Sequence, residues 1–430
     1  MDKIQQSDEK IKERIKKTVE ILSNFDVFLQ QTVAKIPGGS RISGEILGQI
    51  NDEAKVLADT LENPRPPRFL LVGKTGVGKS SLLNALLGCY AANVSPVEVG
   101  TQKAQIMAVQ KNGETVMEII DTRGVFESAD AGRVQAEKDL RAAITAFAPD
   151  TALFVFRAKD RAHLDLDVRL VKERLTLGTL NVPVIVVVSQ VDELDPAREK
   201  APNEYSEVKI KNIRTAQAQI KNILDKESLK YIDIVPVSAY MEWEAAEDEE
   251  QQNYEKILFD GRYNIEKLLD VLEHNMEVKA QIGLLLSTRS ELVLRKIAVL
   301  LVDTMSKVAS TIALTPIPVA DIFPLLALQT SMITLISYLA GKKLDFEGAK
   351  DFIFSLGIVG AGGYTFRFIA QQFMKLLPFA GVGTLISAGI AYAGTNAIGN
   401  AAVAYYFDNI LDKEQLKKIV KNTMAKKSDK

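Results

Sequence analysis

A chain of 430 residues of which 47% are apolar has room for two or three domains, and its supply of Leu, Ile, Val and Phe excludes a disordered protein. Its formal net charge of -2, from 53 basic and 55 acidic side chains, sets up no global field, so no nucleic-acid partner is indicated and any electrostatic partner must be met locally. One cysteine, Cys89, and two histidines, His163 and His274, exclude an internal disulfide and a zinc-type ligand cluster and suit a reducing, cytosolic compartment.

The N-terminus, MDKIQQSDEKIKERIKK, is charged throughout and lacks the apolar core of a secretory signal. Residues 1–62 show helical spacing, with Ile11, Ile15, Val19, Ile21 and Leu22 set among Lys and Glu, a Pro-Gly-Gly break at 37–39 and a second stretch from about 42. The spacing predicts a helical hairpin over 1–66. It ends at Asn63-Pro64-Arg65-Pro66-Pro67, because proline removes a backbone donor and pushes its predecessor out of the helical region. From 68 to about 240 short β-branched runs alternate with helical ones, the strands being RFLLVGK, AQIMAVQ, VMEIID, TALFVF, VPVIVVVS and IDIVPVSA. That alternation predicts an α/β fold with a mostly parallel, doubly wound sheet over 67–275 and ligands at the carboxyl ends of its strands. The acidic stretch 241–256, with Trp243, reads as a solvated loop or helix face.

Chemistry is concentrated at those strand ends. Gly73-Lys74-Thr75-Gly76-Val77-Gly78-Lys79-Ser80 fits the P-loop pattern, directly after RFLLV and directly before the helix that opens Ser80-Ser81. The glycines let the backbone wrap around phosphates, and the helix turns its positive end toward the anion. Lys79 is expected to reach the β and γ phosphates, and the Ser80 hydroxyl to take a place on Mg²⁺, which needs hard oxygen ligands. Asp121-Thr122-Arg123-Gly124 follows VMEII, where a metal-linked Asp121 and a γ-phosphate-sensing Gly124 would stand. Thr101, within VEVGTQKAQ, is placed to offer its hydroxyl to Mg²⁺ when the γ phosphate is present. Ser189-Gln190-Val191-Asp192 ends VPVIVVV, and an Asp carboxylate accepts two hydrogen bonds at once from the guanine ring N–H and amine, a pair of donors that adenine lacks. Val237-Ser238-Ala239 would lay a loop on the guanine carbonyl. The candidate catalytic residues are thus Lys79, Thr101 and Gly124. Nucleotide contacts are expected from Gly73 through Ser81, Asp121, Gln190, Asp192, Ser238 and Ala239, and metal ligands from Ser80, Thr101 and Asp121.

Residues 68–240 resemble the translation-factor-related GTPases, closest to the Era-like and TrmE-like bacterial branch. Lys79 and Ser80 match the first motif of that class, Thr101 the second, Asp121 and Gly124 the third, Asp192 the fourth, and Ser238 and Ala239 the fifth. The resemblance implies GTP and GDP as nucleotides, Mg²⁺ as cofactor and hydrolysis of GTP to GDP and phosphate. Three positions depart from the pattern. Ser189 replaces the usual Asn or Thr of the fourth motif, which questions that strut but not the identity of the base. Val125 follows Gly124 where Ras-like members keep a water-orienting glutamine, so hydrolysis is expected to be slow without a partner or assembly. Gly76 stands where potassium-activated relatives carry an asparagine, so potassium stimulation is not implied. Arg123 reads either as a transition-state cation or, more simply, as a solvated or dimer-pairing switch arginine.

Beyond about 276 an amphipathic stretch with Arg289, Arg295 and Lys296 leads into runs without any Asp, Glu, Lys or Arg at 322–341, 352–366 and 376–407. A bilayer core takes roughly 20 apolar helical residues, so the first run suffices and the last exceeds the need. Gly381, Gly383, Gly389, Gly394 and Gly399 suit close helix packing. A soluble bundle with apolar inner helices is the alternative. TPIPVADIFPLLALQ and LLPFAGVGTLISAGIAYAGTNAIG resemble the YcjF-like hydrophobic domain, over about 310–405, which implies a membrane-linked setting. Lysines at 413, 417, 418, 421, 426, 427 and 430 favour a cytosolic face and anionic lipid. The expectation is an all-α apolar domain over 276–430 and a membrane-associated GTPase switch, with a homo-oligomer through either the nucleotide domain or the helices as a possibility. Alternatives are a dynamin-like self-assembling GTPase and a soluble GTP-binding scaffold.

Overall fold

The computed structural model describes residues 2–35, 44–89, 94–97, 105–111, 113–121, 142–160, 164–175, 182–244, 257–314, 323–344, 348–349, 352 and 384–428. The chain forms two units, one of residues 65–289 and one that joins 1–64 to 290–430.

In the first unit, β1 (Arg68–Val72), β2 (Val94–Val97), β3 (Gln105–Lys111), β4 (Glu114–Asp121), β5 (Thr151–Arg157), β6 (Val184–Ser189) and β7 (Ile234–Pro236) form one sheet in the order β2-β3-β4-β1-β5-β6-β7. β4, β1, β5, β6 and β7 run parallel, and β3 is reversed, pairing antiparallel with both β4 and β2. The central strands read as unbroken apolar runs because both of their faces are covered. Alternation sends Leu70, Val72, Phe154, Phe156, Val186 and Val188 to one face, against Ile213, Ala216, Ile220 and Leu224 of the helix Glu207–Lys226. Phe69, Leu71, Leu153, Val155, Ile185 and Val187 go to the other, against Leu82 and Leu86 of the helix Lys79–Leu87 and Leu268, Leu269 and Leu272 of Ile265–His274. Each such side chain contributes about 1.5–3 kcal/mol by leaving water.

Two features differ from the sequence expectation. The stretch from 241 opens in a strand: β8 (Ser238–Trp243) pairs antiparallel with β9 (Ile257–Tyr263), and the Tyr240 and Phe259 rings stand 5.7 Å apart across the hairpin. Residues 245–256 lie outside the described residues. The α/β unit also continues past 275, because the helix Val278–Thr288 buries Ala280 and Leu284 in the sheet's core. Arg289 closes the unit by donating to Asp270 at 2.7 Å and Glu266 at 3.2 Å.

The second unit is helical. Asp2–Ser23, Phe25–Ala34 and Gly44–Glu62 precede the sheet in sequence, while Ser290–Leu314, Phe323–Leu339, Thr384–Tyr406 and Lys413–Ser428 follow it. The N-terminal helices do not form a separate segment. Gly44–Glu62 packs on Ser290–Leu314, and Phe25–Ala34 packs on Phe323–Leu339. A helical hairpin of that size buries too little apolar surface to stand alone, so Leu22, Phe25, Leu29, Ile50 and Leu61 are covered in this joint bundle. Ser290–Leu314 and Thr384–Tyr406 pack side by side, and a Cβ at Gly399 would come within 2.6 Å of the Val302 side chain. Gly399 therefore serves a helix contact, whereas a Cβ at Gly389 would meet nothing within 4 Å. Polar side chains inside the bundle pair with each other: Gln329 donates to Thr395 at 3.0 Å, and Tyr392 to Asp303 at 2.8 Å.

Candidate nucleotide site

The loop between β1 and the helix Lys79–Leu87 turns through three glycines, of which Gly76 at φ +82° and Gly78 at φ +89° are left-handed. A Cβ at Gly73 would sit 2.7 Å from the Val155 carbonyl oxygen, so the loop leaves β1 against β5 with no room for a side chain. Val77 is buried in the core behind the loop, while Lys74, Thr75, Gly76, Ser80 and Ser81 lie on its exposed side. Lys79 is only 5% exposed and donates to the carbonyls of Gly73 at 2.6 Å and Lys74 at 3.1 Å. A buried ammonium held by loop carbonyls concentrates positive charge where helix dipole and glycine backbone already favour an anion.

Asp121 ends β4 opposite Leu71 of β1, which brings it to the same edge of the sheet as the loop. Thr101, Thr122, Arg123, Gly124 and Val125 lie outside the described residues. The oxygen donors of Ser80 and Asp121 are hard, as Mg²⁺ requires, and the glycine cradle matches a phosphate chain.

The end of β6 reaches back to the same loop. Ser189, 3% exposed, places its hydroxyl oxygen 2.7 Å from the Val77 carbonyl and 3.0 Å from that of Phe156. The serine at this position therefore does strut the loop, despite its departure from Asn or Thr. Gln190, left-handed at φ 56°, adds a second tie by donating its side-chain amide to the Gly76 carbonyl at 3.1 Å. Two turns of chain far apart in sequence are thus clasped at Val77 and Gly76.

Asp192 follows in a short 3-10 turn and is 4% exposed. The Ser238 hydroxyl donates to its Oδ1 at 3.1 Å and accepts from Tyr240 N, so the fourth and fifth predicted motifs meet. Ala239 follows in β8. Lys200 donates to Asp192 Oδ2 at 2.7 Å. Lys209, fully buried, donates to the carbonyls of Asp192 at 2.7 Å, Leu194 at 2.8 Å and Pro196 at 3.1 Å, which spends all three of its protons on the loop. Burial pushes its ammonium below the usual lysine range, against the opposing pull of Asp192. Burial and the Asp192 charge push the neighbouring Tyr205 phenol well above its ordinary value.

Sequence reasoning missed Lys200, Tyr205 and Lys209. For Lys209 a signal was available, since it falls on the apolar stripe Ile213, Ala216, Ile220 and Leu224 of one amphipathic helix, where a lysine needs an internal partner. Lys200 lies in a loop with no periodicity to mark it.

Residues 68–190 match the family described as 50S ribosome-binding GTPase. The chain is 35% identical over 128 residues to the tRNA modification GTPase MnmE of Herminiimonas arsenicoxydans, a match over 29% of this chain and 26% of that protein. It is 30% identical over 133 residues to GTPase Era of Aquifex aeolicus, covering 31% and 43% of the two chains. It is 33% identical over 158 residues to GTPase Der of Gloeothece citriformis, covering 36% and 34%. The chain thus spans less than half the length of these relatives, and the likeness is one of their GTPase domain.

Proposed function

We propose that the unit 65–289 binds GTP and GDP and hydrolyses GTP with Mg²⁺, as a switch whose state is passed to the helical unit. The clasp of Ser189 and Gln190 onto the loop that holds Lys79 carries this reading, because it brings a phosphate cradle and a buried Asp192 into one site. Lys79 would oppose the charge of the β and γ phosphates, the loop and helix N-terminus would orient them, and Asp192 with Ser238 would read the base. Ser80 and Asp121, with Thr101, would hold Mg²⁺, which when bound neutralises phosphate charge. Gly124 would follow the γ phosphate. With Val125 in place of a glutamine, water must be oriented by another group, and turnover without a partner is slow. Lys79→Ala is expected to abolish tight GDP binding by equilibrium titration, and unchanged affinity would remove the site assignment.

The helical unit is proposed to sit at the cytoplasmic face of a membrane, in keeping with the YcjF-like resemblance of 310–405. Support comes from Ser290–Leu314, the one described helix long and apolar enough to cross a bilayer, at a mean hydropathy of 1.7. Half of its most apolar stretch is buried within the protein, as in the core helix of a soluble bundle. Carbonate and high-salt washing of membranes from cells making the full chain separates the cases, since apolar anchorage survives salt and electrostatic adsorption does not. A monodisperse species in the detergent-free supernatant would end the membrane proposal.

A second reading, a dynamin-like GTPase that self-assembles, is favoured by one observation. The helices before and after the α/β unit form a single bundle, as a shared stalk requires. Turnover that rises with protein concentration and with added lipid vesicles supports it; turnover strictly proportional to protein, with or without vesicles, supports the plain switch.

A further inference from the structure

An ionised carboxylate has about four acceptor positions, two on each oxygen. On Asp192 the Ser238 hydroxyl fills one at Oδ1 and the Lys200 ammonium one at Oδ2. One lone pair is left on each oxygen. Guanine presents two adjacent donors, a ring N–H and an exocyclic amine, and needs both of those lone pairs in one plane.

Among the described residues, few side chains are available to set that plane. Gln190 inside the base-reading motif is turned to the Gly76 carbonyl, and Lys209 spends its protons on backbone carbonyls. Lys200 is, among the described residues, the cation that touches the carboxylate itself. Its position is built. The ammonium lies 5.2 Å from the centre of the Tyr240 ring, on the strand that leaves Ser238. A Cβ at Gly261 of β9 would meet the Lys200 carbonyl at 3.1 Å and the Phe259 ring at 2.9 Å, so the hairpin closes on the backbone of the Lys200 loop. The Lys200 side chain is 34% exposed and the Asp192 side chain 6%, which places the cation on the solvent side of the carboxylate.

We propose that Lys200 is a positioning residue for guanine selection, holding the Asp192 carboxylate so that each oxygen keeps one lone pair for the base. The inference rests on the guanine-nucleotide reading above. Lysine suits the task as a compact point charge on one oxygen, whereas a guanidinium fork takes both. A carboxylate released from Lys200 turns more freely. A two-donor contact needs both oxygens in the plane of the base whereas a single N–H contact tolerates that rotation, so a base with both donors loses more than one with the ring N–H alone.

GDP, IDP and ADP separate the possibilities, because inosine keeps the ring N–H and lacks the amine. Affinities of the three are measured by calorimetry for the full chain, Lys200→Met and Lys200→Gln, with melting temperatures as a fold control. The wild-type chain is expected to prefer GDP to IDP by about tenfold or more, the worth of one hydrogen bond to a charged group. Lys200→Met should shrink that ratio below about threefold while IDP binding moves less than threefold, and Lys200→Gln, with donors but no charge, should fall between. An equal loss for GDP and IDP makes Lys200 merely structural, and tighter GDP binding makes it a competitor of the base; either result overturns the proposal. If the wild-type chain does not prefer GDP to ADP, the guanine reading itself fails, and the role of Lys200 with it.

Discussion

Replacing Ser189 by alanine removes one hydroxyl from a site that is 3% exposed and severs the strut between the end of β6 and the Val77 carbonyl. A hydroxyl has one proton, so the contacts at 2.7 Å and 3.0 Å amount to one strong hydrogen bond or a shared one. Its net worth is about 0.5–1.5 kcal/mol, and a buried carbonyl left unpaired raises the cost to about 1–3 kcal/mol. In a unit of this size that lowers the melting temperature by about 2–4 °C per kcal/mol. Nucleotide affinity should fall as well, because a loop no longer tied at Val77 must be ordered on binding, and about 0.5–1.5 kcal/mol corresponds to a loss of roughly two- to twelvefold. Ser189→Thr keeps the hydroxyl and should retain most of the affinity. Gln190→Ala removes the more exposed tie to Gly76 and should cost less than about threefold. Both residues tether one loop, so the double variant should depart from additivity by about 0.5 kcal/mol or more. Urea denaturation and the dissociation rate of a fluorescent GDP analogue measure the two effects. Wild-type values of both in Ser189→Ala, or losses that add to within about 0.3 kcal/mol, would refute the clasp.

Asp192→Asn should weaken GDP binding and improve the relative affinity for xanthosine diphosphate, since the amide can donate to the added carbonyl; an unchanged ratio in competition binding shows that Asp192 does not read the base. Lys209→Met should destabilise the α/β unit by about 2–4 kcal/mol in urea titrations, because the carbonyls of Asp192, Leu194 and Pro196 lose their donor. Burial holds the Lys209 pKa in the folded chain below the unfolded value of 10.5, so on raising the pH the native state gives up its proton first. The penalty of burying the charge is therefore present at neutral pH and relieved as pH climbs toward the unfolded value of 10.5, and the stability gap over Lys209→Met should widen across that window rather than narrow. Residues 65–289 expressed by themselves should fold and bind GDP, because this unit has its own two-sided core; a chain that melts without cooperativity and fails to bind would show that it needs the helices.

The glycine loop at 73–80, the strand-end positions of Asp121 and Asp192 and the parallel sheet were legible in the sequence because each is written in a short window. Glycines at left-handed positions, a lysine and serine at a helix start, and apolar runs ending in polar residues all express local backbone and burial physics, and Leu70 through Val72 or Val184 through Val188 can satisfy it in few other ways. What joined those windows was not local. Ser189 reaches Val77, Ser238 reaches Asp192, and Lys200 and Lys209 hold that aspartate from two sides; no periodicity encodes these meetings, which depend on where the parallel crossovers set the strand ends down. The β8 and β9 hairpin was hidden because its strands are separated by an acidic stretch, and cross-strand pairs such as Tyr240 with Phe259 decide it rather than either strand's own pattern. For the same reason the sequence showed apolar helices at both ends of the chain but not that they share one bundle: an apolar stripe states how much surface must be buried, and only the tertiary structure chooses the partner that buries it.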